Sequence, residues 1–447
     1  MAFKNRFYNS DFHRVFNFKT EETKGRSVIL LNSLLANIAN AFITGALYTA
    51  FLAENGIDIV RVGIISFIPY ISWALSVFSP MLLAKIRRRQ RMMLCVDFVY
   101  YISLIVATTI MPLFVEDPLK KTIWFAVFTF IPHALNALLG SGYTAWMLRF
   151  IPEGRDLNVF TAYNNMVALV FGNAAGLIAS VAATVLAASA NQYWFLFWIR
   201  MASAVLFLVG SCVLYLTPKD VALELPKKVP TPLHVITAPI KHKPFLLTAL
   251  ITVGWGITVS MNANTFSYYL LETVRVPIIY IYFGSLASVL GGVFLSGIFR
   301  KLTDLISPYW MVAVFAGLYG VFEILYVFVA PGRVGLYVFL VITSGLLGVG
   351  FSMGYNSLFY LNLPKDGNKD LFAIFWNMVS NIACFVGAAL GTWLLAIFER
   401  QGTYRFFGEQ VYGSQLICFI KIFMFFGVAC FVAKIAPQLN KTSRSER

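Results

Sequence analysis

The sequence predicts an all-α polytopic membrane protein, with twelve transmembrane helices arranged as two pseudo-symmetric six-helix bundles. Three observations lead there. The chain is 59% hydrophobic and 12% charged, with a mean hydropathy of +0.74, whereas a soluble globular protein carries about 25% charged residues. Its charges are clustered, and the apolar runs between clusters are long enough to cross a hydrocarbon core of about 30 Å. The stretch Gly142–Val167 also returns, without gaps, 212 residues later as Gly354–Val379. Gly142-Tyr143 answers Gly354-Tyr355, Pro152 answers Pro364, Phe160 answers Phe372, and Asn165-Met166-Val167 answers Asn377-Met378-Val379. Long-range internal repeats of this kind are a signature of transporters built from two related halves.

In chain order, residues 1–26 form a basic tail carrying Lys4, Arg6, Arg14, Lys19, Lys24 and Arg26. Phe3, Phe7, Phe12 and Phe16 recur at roughly helical spacing in it, which suits either an interfacial helix on anionic lipid or a partly ordered tail. This stretch is too polar for a cleaved leader, so the first span is expected to act as its own insertion signal. Six spans are expected at about 27–53, 61–84, 92–114, 122–148, 159–188 and 193–216. The fifth is rich in small residues around Gly172, which let membrane helices approach closely. Residues 217–244 hold six prolines and five lysines and read as a linker with room for a short surface helix. Six more spans follow at about 245–271, 277–299, 308–330, 335–362, 371–398 and 413–436, and 437–447 is a second basic tail. The two bundles are therefore placed at 27–216 and 245–436.

The net charge of +15 does not indicate nucleic-acid binding, because Lys and Arg are spread over short loops with no single basic face. With both termini and the linker placed in the cytoplasm, 26 of the 35 Lys and Arg fall on the cytoplasmic side and 7 outside, and only Arg200 and Lys421 remain within spans. That asymmetry follows the positive-inside rule and sets the expected orientation in a plasma membrane, taken as the inner membrane of a bacterium. The five cysteines all lie in apolar runs, with no CxxC pair and no His-containing metal spacing, so neither a metal site nor a disulfide framework is expected. An enzyme is not expected either. The glycine-rich LGGVFLSG around Gly291 lacks the Lys-Ser/Thr ending of a phosphate loop and sits in an apolar run. No nucleophile–base spacing stands out, and no cofactor is expected.

Two sets of six spans, a basic central linker and cytoplasmic termini resemble the major facilitator superfamily over residues 27–436. The superfamily's Gly-x-x-x-Asp-Arg-x-Gly-Arg-Arg loop between spans 2 and 3 is matched here by Pro80–Arg89, which keeps the basic end without the glycine and aspartate. The equivalent turn in the second half, Gly297–Asp304, is similarly reduced. The stretch Trp146…Ile151-Pro152-Glu153…Arg155 is similar to the loop of poorly characterised bacterial permeases. The resemblance implies alternating access. Spans 1, 4, 7 and 10 would line a midplane cavity, spans 2, 5, 8 and 11 would form gates, and spans 3, 6, 9 and 12 would brace them.

On that assignment the candidate substrate contacts are Asn37, Asn40, Thr44 and Tyr48 of span 1, which share one helical face. Span 4 adds His133, Asn136 and Tyr143, span 7 adds Trp255 and Asn262, and span 10 adds Tyr355 and Asn356. Amides in hydrocarbon need partners, so such a stripe faces either a neighbouring helix or a wet cavity. Ionisable residues inside a membrane are functional candidates by default. Arg200, Glu323, Lys421 and Asp97 fall on the bracing helices, where structural or gate-bracing ion pairs are expected. His133 is the candidate proton carrier and Asp97, Arg88 and Arg89 are coupling or gating candidates. So are Glu153, Arg155, Asp366 and Asp370, which sit in the two repeat turns.

The expected cavity is rich in Asn, Tyr and Trp and poor in charge, which suits a small neutral polar solute such as a sugar or related metabolite. Proton-coupled export of amphiphilic drugs is one alternative, and a non-transporting receptor or assembly partner on the same fold is another. The expected partners are a small-molecule substrate, the lipid bilayer and, as candidate coupling ion, protons. The protein is expected to be a monomer.

Overall fold

A computed structural model describes residues 11–147, 150–151, 155–186, 191–219, 231–362, 369–401, 404–406 and 409–445. It is almost entirely helical. Ten helical stretches among these residues are long and apolar enough to cross a membrane. Two shorter apolar stretches, Val170–Leu186 and Ile278–Gly292, lie where the fifth and eighth spans are expected. The protein is a multi-pass helical membrane protein.

Capping chemistry marks where helices begin. Thr20 opens the first helix with a capping box, its hydroxyl accepting from the Thr23 amide while the Thr23 side chain accepts from the Thr20 amide. Asp58 caps the second span through the Arg61 amide, and Asp117, followed by Pro118, caps the fourth. In the linker, Thr231 caps a short helix, Pro232–Lys241, and His242 caps the seventh span at once afterwards.

Neither helix that opens a half is continuous. The first span consists of Glu21–Ile43 and Gly45–Glu54. The chain leaves helical geometry at Thr44 and then takes a φ of +61° at Gly45, a conformation glycine adopts without steric cost. The Thr44 hydroxyl donates to the Asn40 carbonyl at 2.8 Å and the Thr49 hydroxyl to the Gly45 carbonyl at 3.1 Å, so side chains take up backbone acceptors beside the break. The seventh span likewise consists of Lys243–Ser260 and Ala263–Tyr268, the latter running into a π-helical turn at Tyr269–Thr273. Interrupted backbone at membrane depth is tolerated where protein buries it or a cavity meets it. A continuous helical stripe from Asn37 to Tyr48 is therefore not what forms, because Thr44 and Tyr48 lie on opposite sides of the first break.

The chain separates into two compact units, residues 1–55 with 78–229, and residues 56–77 with 230–447. In the first unit, span 1 packs on spans 5 and 6, span 6 packs on span 3, and span 3 packs on span 4. In the second, span 7 packs on spans 11 and 12, span 12 on span 9, and span 9 on span 10. The same pairing thus occurs in both units, shifted by six spans. Residues 56–77, expected in the first bundle by sequence order, pack within the second unit, against Lys369–Gln401. There Gly63 abuts the Thr392 side chain, and the Phe67 and Phe385 rings meet edge-on at 5.5 Å.

The internal repeat is a packing device. A Cβ on Gly142 would press on Leu83, at the end of the second span, and on Met93, at the start of the third, and one on Gly354 would press on Met311 and Val312, at the start of the ninth. Trp146 and its counterpart Leu358 are both fully buried. Phe160 stacks on Phe16 at 5.8 Å, and Phe372 meets Phe245 edge-on at 4.9 Å, so each anchors chain at the head of its half. Phe12 and Phe16 accordingly lie against Tyr163 and Phe160 rather than presenting an apolar face to lipid. Phe3 and Phe7 lie outside the described residues. A short antiparallel hairpin, Tyr404–Phe406 with Glu409–Val411, precedes the last span.

Candidate functional site

In the second unit, four helices turn polar side chains towards one cavity of about 250 Å³, span 10 through Ser344. Span 7 supplies Trp255 and Asn262, span 9 supplies Tyr319, Glu323 and Tyr326, and span 12 supplies Cys418 and Lys421. The spacings explain the convergence. Residues 319, 323 and 326 recur at i, i+4 and i+7, and 418, 421 and 425 at i, i+3 and i+7, so each set occupies one helical face.

Asn262 lies in the break of span 7, as the residue before the second piece begins, with φ −138° and ψ 19°. Its amide nitrogen donates to Cys418 Sγ at 3.2 Å and its oxygen accepts from Lys421 Nζ at 3.0 Å. Lys421 Nζ also lies 2.8 Å from Glu323 Oε1 and 5.7 Å from the centre of the Phe425 ring. Asn262, Glu323 and Lys421 are all buried. The Glu323–Lys421 charges therefore cancel within the cavity wall, as the expectation of an ion pair on spans 9 and 12 requires. What sequence position did not reveal is that the pair faces a cavity and holds the broken helix.

The aromatic wall is itself held in place. Trp255 stacks on Phe351 with centroids 3.6 Å apart. The Tyr319 hydroxyl donates to the Ser344 carbonyl at 2.8 Å, and the Tyr326 hydroxyl lies 3.0 Å from Ser344 Oγ. Span 11 closes on the break from outside the cavity. A Cβ on Gly391 would overlap the Met261 carbonyl, and one on Gly387 the Ile257 carbonyl. Only glycine allows so close a backbone approach.

Of the expected substrate contacts, Trp255 and Asn262 come together here. Tyr355 bonds Thr252 at 3.0 Å and stacks on Phe351, behind Trp255. Asn356 is exposed, as are Asn40 and Thr44. Asn37 spends its amide on the Ser33 carbonyl of its own helix at 2.7 Å. Tyr143 packs with Trp146 and Tyr215 in an aromatic core, and Asn136 is half-buried near the end of its helix at Leu139.

The first unit holds three separate polar stations. His133 sits 3.4 Å from the Tyr100 hydroxyl through either ring nitrogen. Asp97 accepts from the Ser211 hydroxyl at 2.7 Å. Arg200 donates to Thr109 and Thr108 at 2.9 and 2.8 Å and lies over the Tyr48 and Phe51 rings at 5.1 and 4.5 Å. Ion pairs were expected for Asp97 and Arg200. Among the described residues Asp97 meets a hydroxyl instead, and Arg200 places Nε and Nη2 on hydroxyls and its plane over π faces, while its buried Nη1 has no hydrogen-bond partner there. Arg88 is exposed at the helix start, and Arg89 reaches the Leu83 carbonyl at 3.3 Å. Glu153 and Asp366 lie outside the described residues. Arg155 and Asp370 fall in the first turns of their helices, and their side chains lie outside the description. Among the described residues, no three His, Cys, Asp or Glu side chains come together as a metal site.

No family model and no curated protein matches the chain. Solved structures do. A bacterial homologue of the iron transporter ferroportin, in an inward-facing state, aligns with a TM-score of 0.67 at 15% identity, covering 92% of this chain and 98% of that one. A POT family transporter in complex with a thioalcohol-conjugated peptide aligns with a TM-score of 0.68 at 12% identity, covering 93% and 96%. The nucleoside transporter NupG gives 0.63 at 14% identity, covering 92% and 98%. The chain shares its fold with these transporters.

Proposed function

We propose that the chain is a secondary active or facilitative transporter that works by alternating access and moves a small polar solute of no net charge across the plasma membrane. Both termini and the central linker lie in the cytoplasm on this reading, and the membrane is the inner membrane of a bacterium. The observation that carries it is the cavity at the break in span 7. Its two charges cancel each other, Asn262 offers hydrogen-bonding groups at the break, and Trp255 and Tyr326 cover apolar faces. A lone ion in such a wall would select an opposite charge, whereas a self-neutralised wall penalises any solute that brings an unbalanced one.

Flux into proteoliposomes of purified full-length protein, with and without a pH gradient, tests the reading. Uptake or release of a neutral polar solute supports it, and the gradient arm assigns protons as coupling ion or leaves a uniporter. If His133 carries the proton, His133→Gln abolishes the gradient's effect while leaving exchange intact. Export of amphiphiles alone would replace the polar-solute reading, for which the aromatic wall offers a second rationale. Binding without flux across a broad panel would make the protein a receptor and sink the transporter reading. Cys418 gives an independent handle on the cavity. In a variant keeping only that cysteine, a bound solute should slow labelling of its thiol by a small maleimide.

A further inference from the structure

We infer that the solute taken up by the cavity of the second unit is a zwitterion, a small molecule bearing one ammonium and one carboxylate on an apolar or aromatic body. The inference rests on the transporter reading of that cavity and narrows its substrate class.

The Glu323–Lys421 pair does more than join span 9 to span 12, since both residues border the cavity. Burying an ion pair gains little stability over apolar packing of the same volume. Charged side chains within a membrane are accordingly rare and mark the paths of ions and substrates. The contact is a single one, through Glu323 Oε1 at 2.8 Å, and Lys421 uses two of its three donors on Glu323 and Asn262. Capacity for a further hydrogen bond therefore remains on the lysine.

Charge balance then sorts the possible ligands. A monocation drawn to Glu323 would strand Lys421, and a monoanion drawn to Lys421 would strand Glu323. Each case leaves one buried charge unpaired, the arrangement that costs most. A zwitterion places its ammonium on Glu323 and its carboxylate on Lys421, so the wall exchanges one internal pair for two charge-assisted contacts and no charge is stranded. Asn262, bonded to Lys421 and Cys418, has an acceptor and a donor at the junction and can follow the lysine as it turns. Trp255, Phe266, Phe322 and Phe425 form the apolar remainder of the wall. A volume of about 250 Å³ lies just below the range of drug-sized pockets, which start at about 300 Å³. That suits a body the size of a single amino acid.

The test uses the purified full-length protein, with two readouts: protection of Cys418 from maleimide, and thermal stabilisation. The probes are the twenty common L-amino acids, a set of uncharged sugars and nucleosides, and the amide (a monocation) and N-acetyl form (a monoanion) of whichever amino acid protects best. At least one apolar or aromatic amino acid should protect and stabilise, with both capped forms at least tenfold weaker. Glu323→Gln with Lys421→Met should remove the preference for the uncapped form. The charge-swapped pair Glu323→Lys with Lys421→Glu, which keeps the ion pair, should restore folded yield without restoring full affinity. The capped series on the native protein decides the matter even if neither variant folds. Protection by uncharged sugars or nucleosides alone overturns the zwitterion and leaves the transporter reading standing. Equal protection by capped and uncapped forms overturns it too. An absence of both protection and flux with every probe overturns both.

Discussion

Lys421 Nζ lies 2.8 Å from Glu323 Oε1 and 3.0 Å from Asn262 Oδ1, so one ammonium ties the ninth and twelfth spans to the interrupted seventh. Removing one member of a buried pair strands the other, at a cost of about 3–5 kcal/mol. Either Glu323→Gln or Lys421→Met alone should therefore lower the melting temperature in detergent far more than the double replacement does. A double variant as unstable as the sum of the singles would show that the two charges do not act as a pair.

Arg200 directs Nε and Nη2 at two threonine hydroxyls and lies over two aromatic rings. Hydrogen bonds to charged groups contribute about 1.5–3 kcal/mol each. Thr108→Val and Thr109→Val should each destabilise the first unit by that order, with strong coupling in a double-mutant cycle. Arg200→Lys should not rescue, because a point-like ammonium cannot span both hydroxyls while lying flat on a ring. Additive threonine effects, or a lysine variant of native stability, would refute this account.

Gly391 and Gly427 make a matched pair for testing the approach of span 11 to span 7. A Cβ on Gly391 would overlap the Met261 carbonyl, while one on Gly427 would meet nothing within 4 Å. Gly391→Ala should reduce folded yield and alter Cys418 labelling, since the break beside Met261 has to move. Gly427→Ala should be silent or slightly stabilising, by the ordinary helix preference of alanine. Equal behaviour of the two variants would remove span 11 as the buttress of the break.

Gly45 holds a φ of +61° in the first span. An L side chain in that region costs about 1–2 kcal/mol, so Gly45→Ala should destabilise by that order, as read by thermal unfolding. Gly335→Ala provides the control, since a Cβ there meets nothing and its φ is not positive. A silent Gly45→Ala would mean the break does not depend on the left-handed residue.

Composition and the 212-residue repeat were enough to read a helical membrane protein of two related halves, because hydrocarbon thickness and internal duplication both leave their mark on the chain itself. The candidate site was legible only in part. Trp255 and Asn262 were named by their spans, but Glu323 and Lys421 were assigned to bracing because span number alone does not say which face of a helix meets a cavity. The spacing of Tyr319, Glu323 and Tyr326, and of Cys418, Lys421 and Phe425, held that information as single-face stripes. The helix breaks were less readable still. Thr44-Gly45 contains an ordinary membrane glycine, and Met261-Asn262 no breaker at all, so backbone geometry there depends on neighbours distant in sequence. Among the described residues Asp97 and Arg200 meet hydroxyls in place of the expected counter-charges, partners that only the packing of spans 3 and 6 reveals.

The two pieces of the first span differ in how they are held. In Gly45–Glu54 six residues are buried, whereas in the much longer Glu21–Ile43 only four are. The shorter piece, with Phe51 under the Arg200 guanidinium, is bolted to its surroundings like a stator. The longer piece meets it at a swivel that carries no continuous run of helical hydrogen bonds. A twist applied to the longer piece is thus taken up at Thr44-Gly45 and does not reach the shorter one as rigid rotation. The two ends of a single span are in this way mechanically insulated from each other.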